Sequence, residues 1–334
     1  MSLRILSLSD VKQSITMHQA ISALESAFIQ LANNTVKLPL RTGVTIEEEN
    51  GLMLTMPGYL AQEKSLGLKV VSIFPENLTK NKPTITGFIM LLDATTGEAK
   101  VLMDAAYLTS LRTGAVSGLA TKYFARDNAT QVAIIGSGAQ AKTQLEAVAS
   151  VRDIQQVFVW SRNIKNAEKF ANEFEDQFDM TICPSVAMAV KDADIICTAT
   201  NSTEPLIHFG DISPHAHINA IGSHHPSMKE ISHDVLSRAV VIADQLDAVL
   251  AESGEIISAV EHNHLKKELI IEIGHWLLQK NTDYKDKLTV FKSVGLAIQD
   301  LSVAEAVYQN ALKNNLGEIF LLVSQGNIYE SEYK

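Results

Sequence analysis

Apolar positions in "LSDVKQSITMHQAISALESAFIQLA" recur at helical spacing and predict one long helix over residues 8–32, with Ser9 or Asp10 able to cap it. The pattern then shifts to short strand-like runs, "GLMLTMPGYL", "LGLKVVSIF" and "ITGFIMLLDATTGEAKVLMD". Within the last, "DATTGE" reads as a hairpin turn with Gly97 at a position of positive φ. "YLTSLRTGAVSGLATKYFA" reads as a helix rich in small residues. After "RDNAT" strands alternate with helices: "QVAIIGSGAQAKTQLEAVASV", "QQVFVWSRN", "IKNAEKFANEFEDQF", "MTICP", "ADIICTATN", "HINAIGS" and "AVVIAD". That alternation predicts a parallel, doubly wound α/β sheet. "VGLAIQDLSVAEAVYQNALKNNLG" is a long helical stretch that ends the regular pattern at Gly317.

Composition changes this picture little. A chain of 334 residues, 46% hydrophobic and 20% charged, suits two globular domains. The formal net charge of −10 argues against a nucleic-acid binder, which needs a basic face against phosphates. Cys183 and Cys197 lie in or beside apolar stretches, where two buried thiols are expected rather than a disulfide. The opening "MSLRILSLSDVKQSI" lacks the features of a signal peptide, and no run approaches the about 20 apolar residues of a membrane helix. A cytoplasmic protein that binds neither membrane nor nucleic acid is the expectation.

Chemistry enters with "VAIIGSGAQA", which sets Gly136, Gly138 and Ala141 in the G-x-G-x-x-G/A spacing between a strand and a helix. Gly136 allows the tight turn, Gly138 lets backbone approach a pyrophosphate, and Ala141 lets helix and strand pack. The turn Gly136, Ser137, Gly138, Ala139 and Gln140 is therefore the expected dinucleotide site. The next strand ends in Ser161, Arg162 and Asn163, without the carboxylate that usually receives the ribose hydroxyls of NAD. A hydroxyl and a guanidinium suit a 2′-phosphate, so NADP(H) is preferred and NAD(H) remains open; the alternative is a solvated Arg162 in a permissive site.

Three cations stand in apolar or small-residue surroundings: Arg41 after "VKLPL", Lys69 inside "LGLKVVSIF" and Arg112 in "TSLRTGAVSG". Each alone fits a snorkelling or ion-paired residue. A lysine within an apolar strand would be desolvated unless something anionic meets it, and together the three could cradle a carboxylate.

"RTGAVSGLATKYFA", "VAIIGSGAQA", "AIGSHHPSMKEI", "AESGE" and "VFKSVGLAIQDLSVA" together resemble the ornithine cyclodeaminase/mu-crystallin family, and "LTMPGYL" and "LGLKVVSIFPEN" fit it too. The resemblance implies a homodimer in which residues 1–124 and 300–334 form an α+β substrate-binding and dimerisation domain around a Rossmann domain at 125–299. It implies hydride transfer between a nicotinamide and the α-carbon of a small amino or imino acid, without metal. Arg41, Lys69 and Arg112 fall where the family holds the substrate carboxylate. Thr113 and Ser117 would border the cofactor together with Arg112, and Gly222, Ser223, Ser293, Val294 and Gly295 would lie along it toward the nicotinamide end. Fixing the carboxylate aims the C=N carbon, and Lys69 is the candidate for supplying charge or a proton to the nitrogen.

"GSHHPSMKE" is where the chain departs from part of that family. Cyclodeaminases carry an aspartate in this segment for the distal amine; aligning Gly222 and Pro226 puts His224 there, and a histidine offers no fixed negative charge. "PSMKE" resembles the version in members that reduce cyclic ketimines. Adjacent His224 and His225 would point opposite ways in an extended segment and have no third ligand at metal spacing. His224 is expected either as a proton donor or substrate contact, for which its near-neutral pKa suits, or as a loop residue near the nicotinamide. The resulting expectation is reduction of a cyclic α-imino acid of the pyrroline-2-carboxylate type. Ornithine cyclodeamination, an alanine-dehydrogenase-like reaction and a crystallin-like NADPH binder with little turnover are the alternatives.

Overall fold

The protein is described by a computed structural model covering residues 2–280 and 282–322; the end of the expected first domain, 323–334, lies outside the described residues. It divides into two compact units. One comprises Val36–Leu108 with the described residues of Met1–Ile15 and Asp300–Lys334; the other comprises Thr16–Thr35 and Thr109–Gln299.

The first unit is built on a mostly antiparallel sheet in the order Glu318–Leu321, Ser2–Leu6, Ala99–Asp104, Ile85–Asp93, Ser65–Ile73, Gly51–Leu60 and Val36–Lys37, with Thr42–Ile46 also on Gly51–Leu60. Burial alternates along Ser65–Ile73, so Ser65, Gly67, Lys69 and Val71 face inward. A lysine thus stands on the inner face of a strand that otherwise buries small and apolar side chains. The "DATTGE" turn joins Ile85–Asp93 to Ala99–Asp104, with Gly97 at φ +76°.

Two expectations need correction. The N-terminal helical stretch is two helices, Leu8–Ser14 and Met17–Ala32, because Thr16 and Gln19 form a capping box that starts a second helix, while Ser7 with Asp10 caps the first. Regular structure also resumes after Gly317, where Glu318–Leu321 pairs antiparallel with Ser2–Leu6.

The second unit carries an eight-stranded parallel sheet in the order Asp179–Ile182, Gln156–Trp160, Gln131–Ile135, Ile195–Thr198, His217–Ala220, Thr289–Lys292, Val240–Ala243 and Ile271–Glu272. Strand order reverses at Gln131–Ile135, from which the chain adds parallel strands first on one side and then on the other, the doubly wound Rossmann arrangement. Helix Met17–Ala32 and most of Ala106–Phe124, which the sequence reading grouped with the first domain, cluster with this sheet. The small residues explain the grouping: a Cβ at Gly114 would meet the Thr143 carbonyl oxygen at 2.2 Å, so Ala106–Phe124 lies directly on Ala139–Val151. His217, fully buried in this sheet, bonds to Thr289 Oγ1 at 2.8 Å and Asn219 Oδ1 at 3.2 Å, and burial pushes its pKa down to about 3. Cys183 and Cys197 are separate buried thiols, and burial raises Cys197 to about 12. No helix among the described residues is long and apolar enough to cross a membrane.

Candidate active site

In the parallel sheet Trp160, Ile135, Thr198, Ala220, Lys292 and Ala243 pair in one row. The residues that follow them, Ser161, Gly136, Ala199, Ile221, Ser293 and Asp244, therefore emerge on a single carboxyl edge, where doubly wound sheets bind their ligands. Most of the residues expected around the cofactor lie on or just beyond this edge.

The glycine turn fits a dinucleotide. Gly136 takes φ +107°, and a Cβ there would meet the Ala199 carbonyl oxygen at 2.6 Å. Gly138 begins helix Ala139–Val151, has open space where a Cβ would stand, and no side chain caps that helix. Uncapped N–H groups and an open approach are what a pyrophosphate requires. Ala141 is fully buried, as the motif's packing position demands. Ser137 Oγ donates to Ser161 Oγ at 2.9 Å, joining the turn to the end of the second strand. Arg162 is exposed beside it, whereas Asn163 Oδ1 accepts from the Lys165 N–H and caps helix Ile164–Phe174. Gln140 lies in the first turn of Ala139–Val151.

Thr113 and Ser117 are buried on Ala106–Phe124 with their hydroxyls turned into their own helix, Thr113 Oγ1 donating to the Thr109 carbonyl at 2.7 Å and Ser117 Oγ to the Thr113 carbonyl at 3.5 Å. Arg112, in the second turn of Ala106–Phe124 and 8% exposed, donates from Nη1 to Gln299 Oε1 at 2.7 Å.

Two buried carboxylates organise the loops of this edge. Glu230, at the end of the "GSHHPSMKE" segment, accepts from Thr198 Oγ1 at 2.8 Å, Thr200 N and Oγ1 at 2.7 Å, Gly222 N at 2.8 Å and Ser223 N at 3.2 Å. Lys292 Nζ lies 2.8 Å from Glu255 Oε1, and the Glu255 carboxylate accepts from the Glu230 N–H at 3.3 Å. Burial raises the Glu230 carboxyl above its ordinary value; Lys292 opposes that rise and Glu255 adds to it. Asp244 gathers the Ser293 hydroxyl and the N–H groups of Val294 and Gly295, and burial likewise raises its carboxyl against the pull of those donors.

Glu230 thus pins the start of the loop that carries His224. His224 is exposed, and its Nδ1–H donates to the Gly222 carbonyl at 2.8 Å, which fixes the tautomer of the neutral ring. His225 Nδ1 instead meets Ser227 Oγ at 2.8 Å. Among the described residues no group of three or more His, Cys, Asp or Glu is arranged to hold a metal ion.

The antiparallel unit holds the other candidates. Lys69, 2% exposed, pairs with Asp300 at 2.6 Å, both side chains being buried. Arg41 is half-buried just before strand Thr42–Ile46. Gln299 and Asp300, partners of Arg112 and Lys69 respectively, are consecutive residues of helix Ala297–Lys313.

The fold and the turn define a Rossmann α/β protein with a dinucleotide-type glycine loop. The chain belongs to the ornithine cyclodeaminase/mu-crystallin family, whose sequence profile matches residues 1–315. A Delta(1)-pyrroline-2-carboxylate reductase of Bacillus cereus is 34% identical over 320 residues, covering 94% of this chain and 98% of the relative. The solved structure of Thermococcus litoralis Delta(1)-pyrroline-2-carboxylate reductase in complex with NADH and L-proline is similar at a TM-score of 0.90 and 37% identity, covering 94% of this chain and 99% of that one. An archaeal alanine dehydrogenase dimer with bound NAD matches at a TM-score of 0.90 and 34% identity, covering 97% and 100%.

Sequence reasoning passed over Asp244, Glu230, Glu255, Lys292, Gln299 and Asp300. The available signal was a polar residue closing an apolar strand, as in "VVIAD" and "TVFK", or set inside an apolar helix, as in "GLAIQDL". Such positions cost desolvation and need partners.

Proposed function

We propose that this protein reduces a cyclic α-imino acid of the pyrroline-2-carboxylate type to the corresponding cyclic amino acid, with NADPH preferred over NADH. The observation that carries the reading is the similarity, along nearly the whole chain, to a reductase whose structure holds NADH and L-proline. The loop chemistry supports it: His224 stands where the cyclodeaminase pattern has an aspartate, so no fixed negative charge meets a distal ammonium group.

The 136–140 turn would hold the pyrophosphate, Ser161 and Arg162 the ribose phosphate, and the 222–223 and 293–295 segments the nicotinamide end. Bound there, the nicotinamide supplies the hydride. Arg41, Lys69 and Arg112 are assigned to the substrate carboxylate, with Arg112 offering a two-pronged donor and Lys69 a point charge. Asp300 holds the Lys69 side chain in place at 2.6 Å, and Nζ is the first candidate to pass a proton to the imine nitrogen. His224, with its tautomer set by Gly222, is the second candidate donor. A homodimer and a cytoplasmic location complete the reading, supported by the dimeric alanine dehydrogenase relative and by the buried thiols.

Steady-state assays in parallel test it. The expected result is rapid NADPH oxidation with pyrroline-2-carboxylate, slow reaction with pyruvate plus ammonia, and no ammonia from ornithine with NAD. Preferred turnover of pyruvate would transfer the chain to the dehydrogenase reading that the archaeal neighbour favours. Ammonia and proline from ornithine would replace the reductase with a cyclodeaminase.

A further inference from the structure

Asp244 follows strand Val240–Ala243 and is fully buried. Its Oδ1 accepts from the Gln245 N–H at 2.8 Å, which anchors the carboxylate to its own loop. Its Oδ2 accepts from Ser293 Oγ at 2.7 Å, Val294 N at 3.0 Å, Gly295 N at 3.1 Å and Gln299 Nε2 at 3.3 Å. A side-chain amide has one donating and one accepting end. With Nε2 turned toward the carboxylate, Gln299 must present Oε1 to the Arg112 guanidinium, and the 2.7 Å bond lies there. Gly295 closes the arrangement: at φ +89° it brings its backbone so near that a Cβ would lie 2.8 Å from Arg112 Nη1.

We infer that Asp244 is a positioning residue that couples the two halves of the reaction site, holding the Ser293–Gly295 turn directly and the Arg112 guanidinium through the Gln299 amide. The inference rests on the proposed roles of that turn at the nicotinamide and of Arg112 at the substrate carboxylate. Under it, a group that touches neither ligand sets the affinity for both. The dry surroundings strengthen each bond in the chain and make any reversal of the amide costly.

The test is a double-mutant cycle of Asp244→Asn and Gln299→Ala, read by NADPH binding and by binding of pyrrole-2-carboxylate to the NADPH complex, with KM and kcat for pyrroline-2-carboxylate measured alongside. Gln299→Ala is expected to weaken pyrrole-2-carboxylate and raise KM by about tenfold or more, with a smaller change in kcat and none in NADPH affinity. Asp244→Asn is expected to weaken both ligands. The double variant should bind pyrrole-2-carboxylate no worse than the more affected of the two single variants, since both changes cut one chain. Multiplying effects, or a folded Asp244→Asn with wild-type affinities, would overturn the inference.

If Asp244→Asn does not fold, Gln299→Glu decides. It sets a carboxylate against Asp244 and must raise KM more than Gln299→Ala does; an unchanged KM overturns the proposal. Because the cycle is read by binding, failure of the wild-type protein to turn over the imino acid would sink only the functional reading. Failure to bind pyrrole-2-carboxylate at all would sink both.

Discussion

The two units place their chemistry in opposite ways. In the antiparallel unit the decisive charge sits within a regular strand: Lys69 occupies an inward position of Ser65–Ile73 and pairs with the carboxylate of Asp300, far along the chain. In the parallel unit the buried carboxylates Glu230 and Asp244 lie past the strand ends and face mainly backbone N–H groups and hydroxyls. The first arrangement stations a cation; the second fixes the shape of loops. Loss of Lys69 should therefore remove chemistry, whereas loss of a loop carboxylate should blur geometry.

The largest effect should come from Lys69→Met, which would lower kcat by about 10²–10⁴-fold if Nζ supplies the proton. Asp300 separates that loss from simple misfolding. Asp300→Asn leaves a buried ammonium against an amide and should cost about 3–5 kcal/mol of stability, measured by urea unfolding. A Lys69→Met enzyme with near-normal kcat would remove the cation's chemical role and leave only a structural pair. Next in size, Arg112→Lys should raise KM for the imino acid by about tenfold or more while kcat falls less, since an ammonium cannot reproduce a two-pronged contact.

Smaller effects sharpen the contrast in the parallel unit. Arg162→Ala should weaken NADPH binding by about fivefold and leave NADH unchanged, a modest change because the guanidinium is exposed. Equal losses for both nucleotides would show that Arg162 does not read the phosphate.

An effect on stability alone belongs to His217. Its pKa is about 3 in the folded protein, below the ordinary histidine value, so the unfolded chain binds the extra proton as pH falls. Its contribution is intact above about pH 6.5 and is lost progressively toward pH 3. Urea midpoints of the wild type should accordingly fall more steeply between those pH values than those of His217→Asn.

Much of the parallel unit was legible because its signals are local. Strand periodicity, the Gly136–Ala141 spacing and the missing carboxylate after Gln156–Trp160 all lie within a few residues of the features they report. Lys69 was legible as an anomaly, a charge inside an apolar run, but its partner was not, since Asp300 is brought to it only by the fold. The same holds for Arg112 with Gln299 and for the loop carboxylates, whose donors come from two or three separate segments. The break at Ile15–Thr16 is hidden in the sequence for the converse reason: apolar spacing continues through it, and only the Thr16–Gln19 capping box marks the new helix. His224 was visible as a substitution within a motif; its tautomer depended on the Gly222 carbonyl and needed coordinates.

The most direct test of the central claim is isotope transfer. Pyrroline-2-carboxylate would be incubated with NADPH deuterated at the transferable position of the nicotinamide, and the product examined by NMR. The expected product is proline carrying one deuterium at the α-carbon for each nucleotide oxidised. Nucleotide oxidation without labelled proline, or no oxidation with either NADPH or NADH, would contradict it.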